Sequence, residues 1–239
     1  MSSPDHDPRL DWRAEVDRWW AETLRLPVAA MRSGGVFAAD HVDHVGVVAV
    51  EGSDAQVIYG PTQVLSGLSA ALRASPADLS DGQHLAVALG SRAGRVLGPA
   101  WYGYVTARTL GALPGSEVRQ LSEADLPLLA RLRERTPPAE RDESGTTDLP
   151  AYGYLQQGEL LAVACLGAWR AMPTIGVLTD PRARRRGLAS MVVTAAAREG
   201  LNRRAVVQYR AWLHNTASIR VAGHCGFAHY CDSLIIELR

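Results

Sequence analysis

The chain has 239 residues, of which 47% are hydrophobic, and its 25 basic side chains balance 25 acidic ones. This length exceeds the roughly 100 to 150 residues of a common single domain, so we expect two domains. Because the net charge is zero, no global field attracts nucleic acid or an anionic membrane surface, and neither is an expected partner.

Every basic residue is an arginine, because the sequence contains no lysine. A P-loop nucleotide site places a lysine on the phosphates, and a pyridoxal enzyme forms a Schiff base with one. The composition therefore excludes both classes of site in their usual form.

The three cysteines, Cys165, Cys225 and Cys231, are odd in number and form no CxxC pair. This spacing predicts neither a disulfide framework nor a zinc site, and no metal is expected. The first residues carry acidic groups without an apolar core, unlike a secretory signal, and no apolar run reaches the roughly 18 residues that span a bilayer. We therefore expect a cytoplasmic protein.

The N-terminal half predicts a mixture of helices and strands. Tryptophans and aliphatic residues spaced by three and four predict an amphipathic helix over residues 11–26. Strands are predicted over 45–50 and 56–59, with a hairpin turn between them. A helix is predicted from Thr62 to Leu72, and a strand over Leu85–Leu89.

Glycines and prolines between residues 90 and 115 predict turns rather than regular elements. We place a domain boundary there, between an N-terminal α+β domain (1–115), whose role the sequence leaves open, and a second domain (116–239). The aromatic run Trp101–Tyr104 lies just before this boundary. Interdomain core and an acceptor pocket are both compatible with it.

The second domain has a more regular alternation of elements. Strands are predicted over 118–121, 151–156, 160–169, 174–179, 205–212 and 227–238, and helices over 123–135, 187–201 and 216–225, with a polar loop from Pro137 to Asp148. The predicted fold class is α/β (mixed α+β), a central mixed sheet flanked by helices and preceded by a smaller α+β unit.

The arginine-rich segment that follows the strand 174–179 is the most informative part of the chain. It opens a helix, whose first amides lack internal partners and whose dipole attracts phosphate. Gly187 allows close approach of a pyrophosphate, and the neighbouring arginines add positive charge. Composition alone also permits a solvated basic loop.

Two ordered motifs carry a resemblance to a known family. Arg184-x-x-Gly187-x-Ala189, after a strand, resembles the [Gln/Arg]-x-x-Gly-x-[Gly/Ala] signature of the GCN5-related N-acetyltransferase (GNAT) superfamily. The segment from Asn215 to Phe227 resembles that family's asparagine-led helix ending in Gly-Phe. The resemblance covers about residues 116–239.

The resemblance implies that acetyl-CoA is the co-substrate and that its pantetheine arm lies between the fourth and fifth strands, 174–179 and 205–212. The residues that it implies as cofactor contacts are Val177, Leu178, Thr179, Arg184, Arg185, Arg186, Gly187, Leu188, Ala189, Ser190, Asn215 and Ser218.

The implied activity is transfer of an acetyl group from acetyl-CoA to a primary amine of a small molecule or protein. Most members place a tyrosine seven residues after the asparagine as the acid for the thiolate, where this chain has Ala222. No catalytic residue is therefore assigned. His224 is expected at the surface, Cys225 as a buried small residue, and Tyr209 on either face of the sheet.

Two other functions stay open. The absent tyrosine motivates a noncatalytic acyl-CoA binding or sensing protein. The arginine-rich turn motivates a nucleic-acid contact, against which the neutral net charge argues. The N-terminal domain is expected to contribute to the acceptor site or to a homodimer.

Overall fold

The computed structural model describes residues 8–33, 35–40, 44–50, 55–66, 68, 82–112, 117–146 and 148–239. The helices, in chain order, are α1 (Pro8–Leu24), α2 (Gly82–Leu89), α3 (Leu126–Arg135), α4 (Pro138–Glu143), α5 (Leu188–Arg203) and α6 (Thr216–His224). The strands are β1 (Gly35–Asp40), β2 (His44–Val50), β3 (Ala55–Gly60), β4 (Ala93–Val105), β5 (Val118–Gln120), β6 (Ala151–Gln156), β7 (Glu159–Trp169), β8 (Met172–Thr179), β9 (Val207–Trp212) and β10 (Ala228–Leu238).

The chain forms two compact units. Unit 1 comprises Met1–Tyr102, Ala211–Asn215 and His229–Arg239, and unit 2 comprises Gly103–Arg210 and Thr216–Ala228. These units interleave along the chain, unlike the contiguous domains 1–115 and 116–239, which stay a prediction. Within the described residues, no helix combines the length and apolar character that a membrane crossing requires.

In unit 1, the strands β1, β3, β2 and β10 are consecutive neighbours in one sheet. β1 and β3 run parallel, whereas β2 is antiparallel to both β3 and β10. The predicted hairpin is confirmed by β2 and β3, although its turn, residues 51–54, lies outside the described residues. The first predicted helix is confirmed by α1.

A buried carboxylate ties α1 to the rest of unit 1. Asp17 accepts hydrogen bonds from Arg32 Nη2 at 2.8 Å and from the Tyr230 hydroxyl at 2.6 Å. Burial, together with this acidic neighbour, raises the pKa of Tyr230 above its usual range. The carboxylate is thereby paired and hydrogen-bonded, as a buried charge must be.

The strand predicted over Leu85–Leu89 is wrong, because these residues belong to α2. Leu85 and Leu89, one helical turn apart, are buried in the core of unit 1, whereas Val87 is 80% exposed. A strand would have placed all three side chains on one face. Of the helix predicted from Thr62 to Leu72, residues 62–66 and 68 are helical, and the remainder lies outside the described residues.

The prediction of turns between residues 90 and 115 is also wrong, because 13 of these residues form β4. The glycines here serve close packing against β10. A Cβ on Gly94 would lie 2.8 Å from the Glu237 carbonyl oxygen, and one on Gly98 would lie 2.9 Å from that of Ser233. Glycine is found in strands where another backbone approaches this closely.

In unit 2, the strands are ordered β9-β8-β7-β6-β5, with β8 and β9 parallel and the other pairs antiparallel. Cys165 of β7 packs in the same core as Leu129 and Leu132 of α3. A Cβ on Gly200 of α5 would lie 3.2 Å from the adjacent β7 residue, Leu166. Because successive strand residues face opposite ways, α3 and α5 cover opposite faces. The predicted mixed sheet flanked by helices is confirmed.

The polar segment predicted as a loop contains a short helix, α4. Proline is well suited to the first helical position, because its missing N–H would be unpaired there, and Pro138 begins α4. Beyond α4, the Thr146 carbonyl oxygen accepts a hydrogen bond from Arg133 of α3 at 2.6 Å. This bond fixes the segment 144–146 against α3.

Two leucines of α3 test the core of unit 2. Leu132 is fully buried, whereas Leu126 is 41% exposed. We expect Leu132→Ala to lower the free energy of unfolding by about 2 to 5 kcal/mol, because it leaves a cavity. The matched Leu126→Ala variant should change it by less than about 0.5 kcal/mol. Urea denaturation followed by circular dichroism checks both values, and equal losses would contradict this core assignment.

Candidate functional site

The site begins where β8 ends, at a buried aspartate that caps a short turn. The Asp180 carboxylate accepts the backbone N–H of Arg182 at 2.9 Å, and the Ala183 N–H donates to the Asp180 carbonyl oxygen at 2.9 Å. Aspartate is a preferred capping residue, and Pro181 follows it at the first position of the turn. The chain therefore leaves the sheet in a defined direction.

Two arginines complete the shell of Asp180, which is fully buried. Arg182 Nη2 donates to the carboxylate at 2.9 Å, and Arg135 Nε, from the end of α3, donates at 2.8 Å. These hydrogen bonds, chiefly those of Arg182, hold the pKa of Asp180 well below its usual range. Arg135 also donates to the Leu160 carbonyl oxygen at 3.2 Å. One carboxylate thus joins α3, β7 and the turn after β8.

The other arginines of this segment mostly have partners as well. Arg184 forms an ion pair with Glu140 of α4. Arg186 Nη2 donates to Gln156 Oε1 at 2.9 Å. Arg185 is exposed, and no hydrogen bond of its side chain is found among the described residues. Of the arginines predicted to add charge for an anion, Arg185 can therefore do so without giving up a partner.

Gly187 opens helix α5 in a left-handed conformation, with φ of +77°. The first hydrogen bond along the helix runs from the Met191 N–H to the Gly187 carbonyl oxygen, at 3.2 Å. The amides of Leu188, Ala189 and Ser190 precede this bond and have no partner within the helix. A Cβ on Gly187 would meet no atom within 4 Å, so the space in front of this helix end is open. A helix end of this kind can bind an anion.

The pairing of β8 with β9 is short. It comprises Thr174 with Gln208 and Ile175 with Tyr209, although β8 continues for four residues to Thr179. Throughout Val177, Leu178 and Thr179, β8 pairs with β7 on its other side. On the side that faces β9, the backbone of β8 from Val177 to Thr179 is therefore not paired with another strand. An extended ligand can bind there through backbone hydrogen bonds, as an added strand would.

Tyr209 faces helix α6. Its hydroxyl lies 2.8 Å from Ser218 Oγ, and its ring packs edge-on against Phe227 with centroids 5.4 Å apart. Burial raises the pKa of Tyr209 above its usual range, so the phenol stays neutral. The predicted cofactor contact Ser218 thus already shares its hydroxyl with Tyr209. The predicted cofactor contact Asn215 belongs to unit 1, where its backbone N–H donates to the Trp212 carbonyl oxygen at 2.9 Å.

Helix α6 contributes no evident acid. Ala222 is fully buried, and His224 is exposed. Cys225 is buried with its thiol 3.5 Å from the Ser190 carbonyl oxygen, and burial raises its pKa, which disfavours the nucleophilic thiolate. Among the described residues, no three His, Cys, Asp or Glu side chains are grouped so that they could hold a metal ion.

Sequence reasoning missed the residues that shape this site from a distance. Asp180 had a local signal, the Asp-Pro pair after a strand, which is typical of a capped turn. Its partner Arg135 had none, because 45 residues separate the two. Gly176 of β8 was also missed, and a Cβ on it would overlap the Ser144 carbonyl oxygen. The segment after α4 therefore crosses β8 where its pairing with β9 stops.

Residues 117–227 match the sequence model of the family described as "Acetyltransferase (GNAT) family". These residues belong to the GNAT family. The GNAT domain so defined contains β5 to β9 and helices α3 to α6, with the turn and the strand edge described above. No curated protein matches the chain.

Several solved structures are similar to the chain. A GNAT-family protein from Novosphingobium aromaticivorans has 23% identity and a TM-score of 0.49 over 61% of this chain and 66% of its own. An acetyltransferase of the family from Colwellia psychrerythraea has 16% identity and a TM-score of 0.48 over 66% of this chain and 62% of its own. An aminoglycoside N-acetyltransferase in complex with CoA has 23% identity and a TM-score of 0.36 over 46% of this chain and 90% of its own. The chain thus spans less than two thirds of the first two proteins, and the family assignment rests on the match at 117–227.

Asp180 also makes the stability of the GNAT domain depend on pH. Because its pKa is lowered on folding, the stabilisation is fully present above the unfolded pKa of about 3.9 and declines as the pH falls below it. We expect Asp180→Asn to lower the free energy of unfolding by about 3 kcal/mol at pH 7, since it leaves two arginines without their charged acceptor.

Glu159, whose ion pair with Arg182 is exposed, supplies the control. Glu159→Gln should cost less than about 1 kcal/mol. Urea denaturation between pH 7 and pH 3 measures both, and the Asp180→Asn protein should lose less stability on acidification than the wild type. An unchanged acid dependence would contradict the assignment.

Proposed function

We propose that this protein transfers an acetyl group from acetyl-CoA to a primary amine of a small molecule or a protein. One observation carries the proposal: an unpaired strand edge leads, through a capped turn, directly to the open end of a helix. An extended chain that ends in a pyrophosphate has the shape and charge to fill both, and acetyl-CoA is such a molecule. Membership of residues 117–227 in the GNAT family supports the same assignment.

The cofactor is placed by its charges and its polar groups. The pyrophosphate would accept hydrogen bonds from the amides of Leu188, Ala189 and Ser190, with Arg185 as the nearby cation whose charge is not already engaged. The pantetheine arm would bond to the free backbone edge of β8 from Val177 to Thr179. Its thioester would then lie towards Gly176, at the point where the pairing of β8 with β9 stops.

The chemistry is direct transfer. The amine nitrogen attacks the thioester carbonyl carbon, the new C–N bond forms, and the C–S bond breaks. The oxyanion formed on the way is stabilised by a backbone N–H of β8 near Leu178. The proton lost by nitrogen balances the one gained by the CoA sulfur, and water carries it. Since Ala222 has no acidic group, the thiolate leaves without the acid that most members of the family supply.

The buried Ala222 also favours a second candidate function, a protein that binds acyl-CoA without turnover. Release of free CoA thiol distinguishes the two. The acceptors to be tried are an aminoglycoside, a polyamine, an amino acid and a peptide with a free N-terminus. An aminoglycoside belongs in this panel because one similar protein is an aminoglycoside N-acetyltransferase. Amine-dependent thiol release supports the transferase, whereas tight acetyl-CoA binding without release favours the binding protein.

Gly187 gives the sharpest test of the pyrophosphate site. In the Gly187→Val variant the side chain would occupy the open space in front of the α5 amides. We therefore expect the affinity for CoA to fall at least about tenfold, a loss of about 1.4 kcal/mol of binding free energy. The left-handed conformation of Gly187 should also cost the variant about 1 to 2 kcal/mol of stability.

Gly223 of α6 is the matched control, because a Cβ there also meets no atom within 4 Å. Gly223→Ala should leave CoA affinity unchanged. Isothermal titration calorimetry with CoA measures both variants, and circular dichroism verifies that they are folded. A Gly187→Val protein that is folded and binds CoA within twofold of the wild type would refute the site.

A further inference from the structure

A buried glutamine lies on the strand that borders the proposed acetyl site. Gln208 of β9 is 1% exposed, and its Nε2 donates a hydrogen bond to the Tyr104 hydroxyl at 2.7 Å. Tyr104, at the end of β4, is also 1% exposed and belongs to unit 2. Within the described residues this is the single hydrogen bond of the Gln208 side chain. Among the described residues its amide oxygen accepts no hydrogen bond from the protein, so it can accept one from a ligand.

The register of the strands decides which face of the sheet carries Gln208. Tyr209 faces α6, as its hydrogen bond to Ser218 shows. Gln208, the preceding residue, therefore faces the opposite side. That side is the one covered by α3, because Gly176 and its β7 partner Cys165 lie on it, and Cys165 packs with Leu129 and Leu132.

This placement separates the two substrates. The α5 end that would hold the pyrophosphate and the α6 helix lie on one face of the sheet. Gln208 lies on the other face and pairs with Thr174, two residues before Gly176. An amine that attacks the thioester from the face opposite to the nucleotide would approach beside Gln208. An amide oxygen is a suitable acceptor for the N–H of such an amine.

Resting on the proposed acetyl transfer, we propose that Gln208 determines acceptor recognition: its amide oxygen accepts a hydrogen bond from the primary amine of the acceptor. Tyr104 is a positioning residue, since the bond from Nε2 to its hydroxyl holds the amide in place and leaves the oxygen as the acceptor for the amine. The amide takes no proton in the reaction. The proton lost by the nitrogen leaves through water, and Gln208 only holds the amine during attack on the thioester.

Two isosteric substitutions of Gln208 distinguish recognition from a structural role. Gln208→Glu keeps an acceptor oxygen but buries a carboxylate, whereas Gln208→Met keeps the volume and removes every hydrogen-bonding atom. If Gln208 were merely structural, Glu would be the more harmful change, because an added buried charge is costly. If it binds the amine, Met is the more harmful change for catalysis.

The measurement is steady-state kinetics with acetyl-CoA and the amine from the four-member panel that gives the fastest thiol release. We expect Gln208→Met to raise the amine KM about tenfold and Gln208→Glu to keep it within about threefold of the wild type. Tyr104→Phe should raise the amine KM by about three- to fivefold. The KM for acetyl-CoA and its Kd from calorimetry should stay unchanged in all three variants, since Gln208 lies on the face away from the nucleotide.

An amine KM for folded Gln208→Met within twofold of the wild type would overturn the inference, as would a larger loss in Gln208→Glu than in Gln208→Met. Failure of the proposed function looks different. The wild-type protein would then release no thiol with any of the four amines, whichever residue stands at position 208, and the inference would fall with it.

Discussion

The carboxylate of Asp180 is the constraint on which the rest of the site depends. It is buried at the end of β8 and can remain charged because Arg135 and Arg182 both donate to it. The three groups connect α3, the turn after β8 and, through the bond from Arg135 to Leu160, strand β7. Where the chain leaves the sheet is therefore fixed by an interaction that few alternative conformations would satisfy.

From this anchor the geometry of the anion site follows in steps. The capped turn leads through the arginine-rich segment to Gly187, whose left-handed conformation starts α5. Most of the arginines in between are held by Glu140, Gln156 or Glu159, which limits how far the segment can move. The amides of Leu188, Ala189 and Ser190 therefore face open space at the start of α5. At the proposed site a phosphate would meet donors that are already held in place, and preorganised donors are the effective ones.

The two faces of the sheet in unit 2 carry different groups. One face, with α5 and α6, carries the helix amides and the Tyr209–Ser218 pair. The other face, with α3 and the segment after α4, carries Gly176 and Gln208. In the proposed reaction the thioester lies at the break between β8 and β9, between these two faces. Ala222 has no acidic group, so in the proposed reaction the leaving thiolate relies on its own stability and on water.

Local patterns in the sequence predict most of unit 2. Apolar runs bounded by turn residues predict β6 to β8, and helical spacing predicts α3, α5 and α6. The motif positions Arg184 and Gly187 locate the proposed anion site for a similarly local reason.

The sequence predicts less where partners are distant in the chain. The apolar run from Leu85 to Leu89 is too short to distinguish the period of a helix from that of a strand. It is a helix because Leu85 and Leu89 both pack into the core of unit 1. Glycines in β4 resemble turn residues until the backbone of β10 lies against them. The hydrogen bond between Asp180 and Arg135 joins residues 45 positions apart, and the one between Gln208 and Tyr104 joins residues 104 positions apart. No spacing in the sequence predicts either bond.

The most direct test of the account is a titration of the isotope-labelled full-length protein with CoA, followed by the amide signals in NMR spectra. We expect the largest changes on the amides of Leu188, Ala189 and Ser190, and on the β8 edge from Val177 to Thr179. CoA binding that leaves these signals unchanged, or no binding at all, would contradict it.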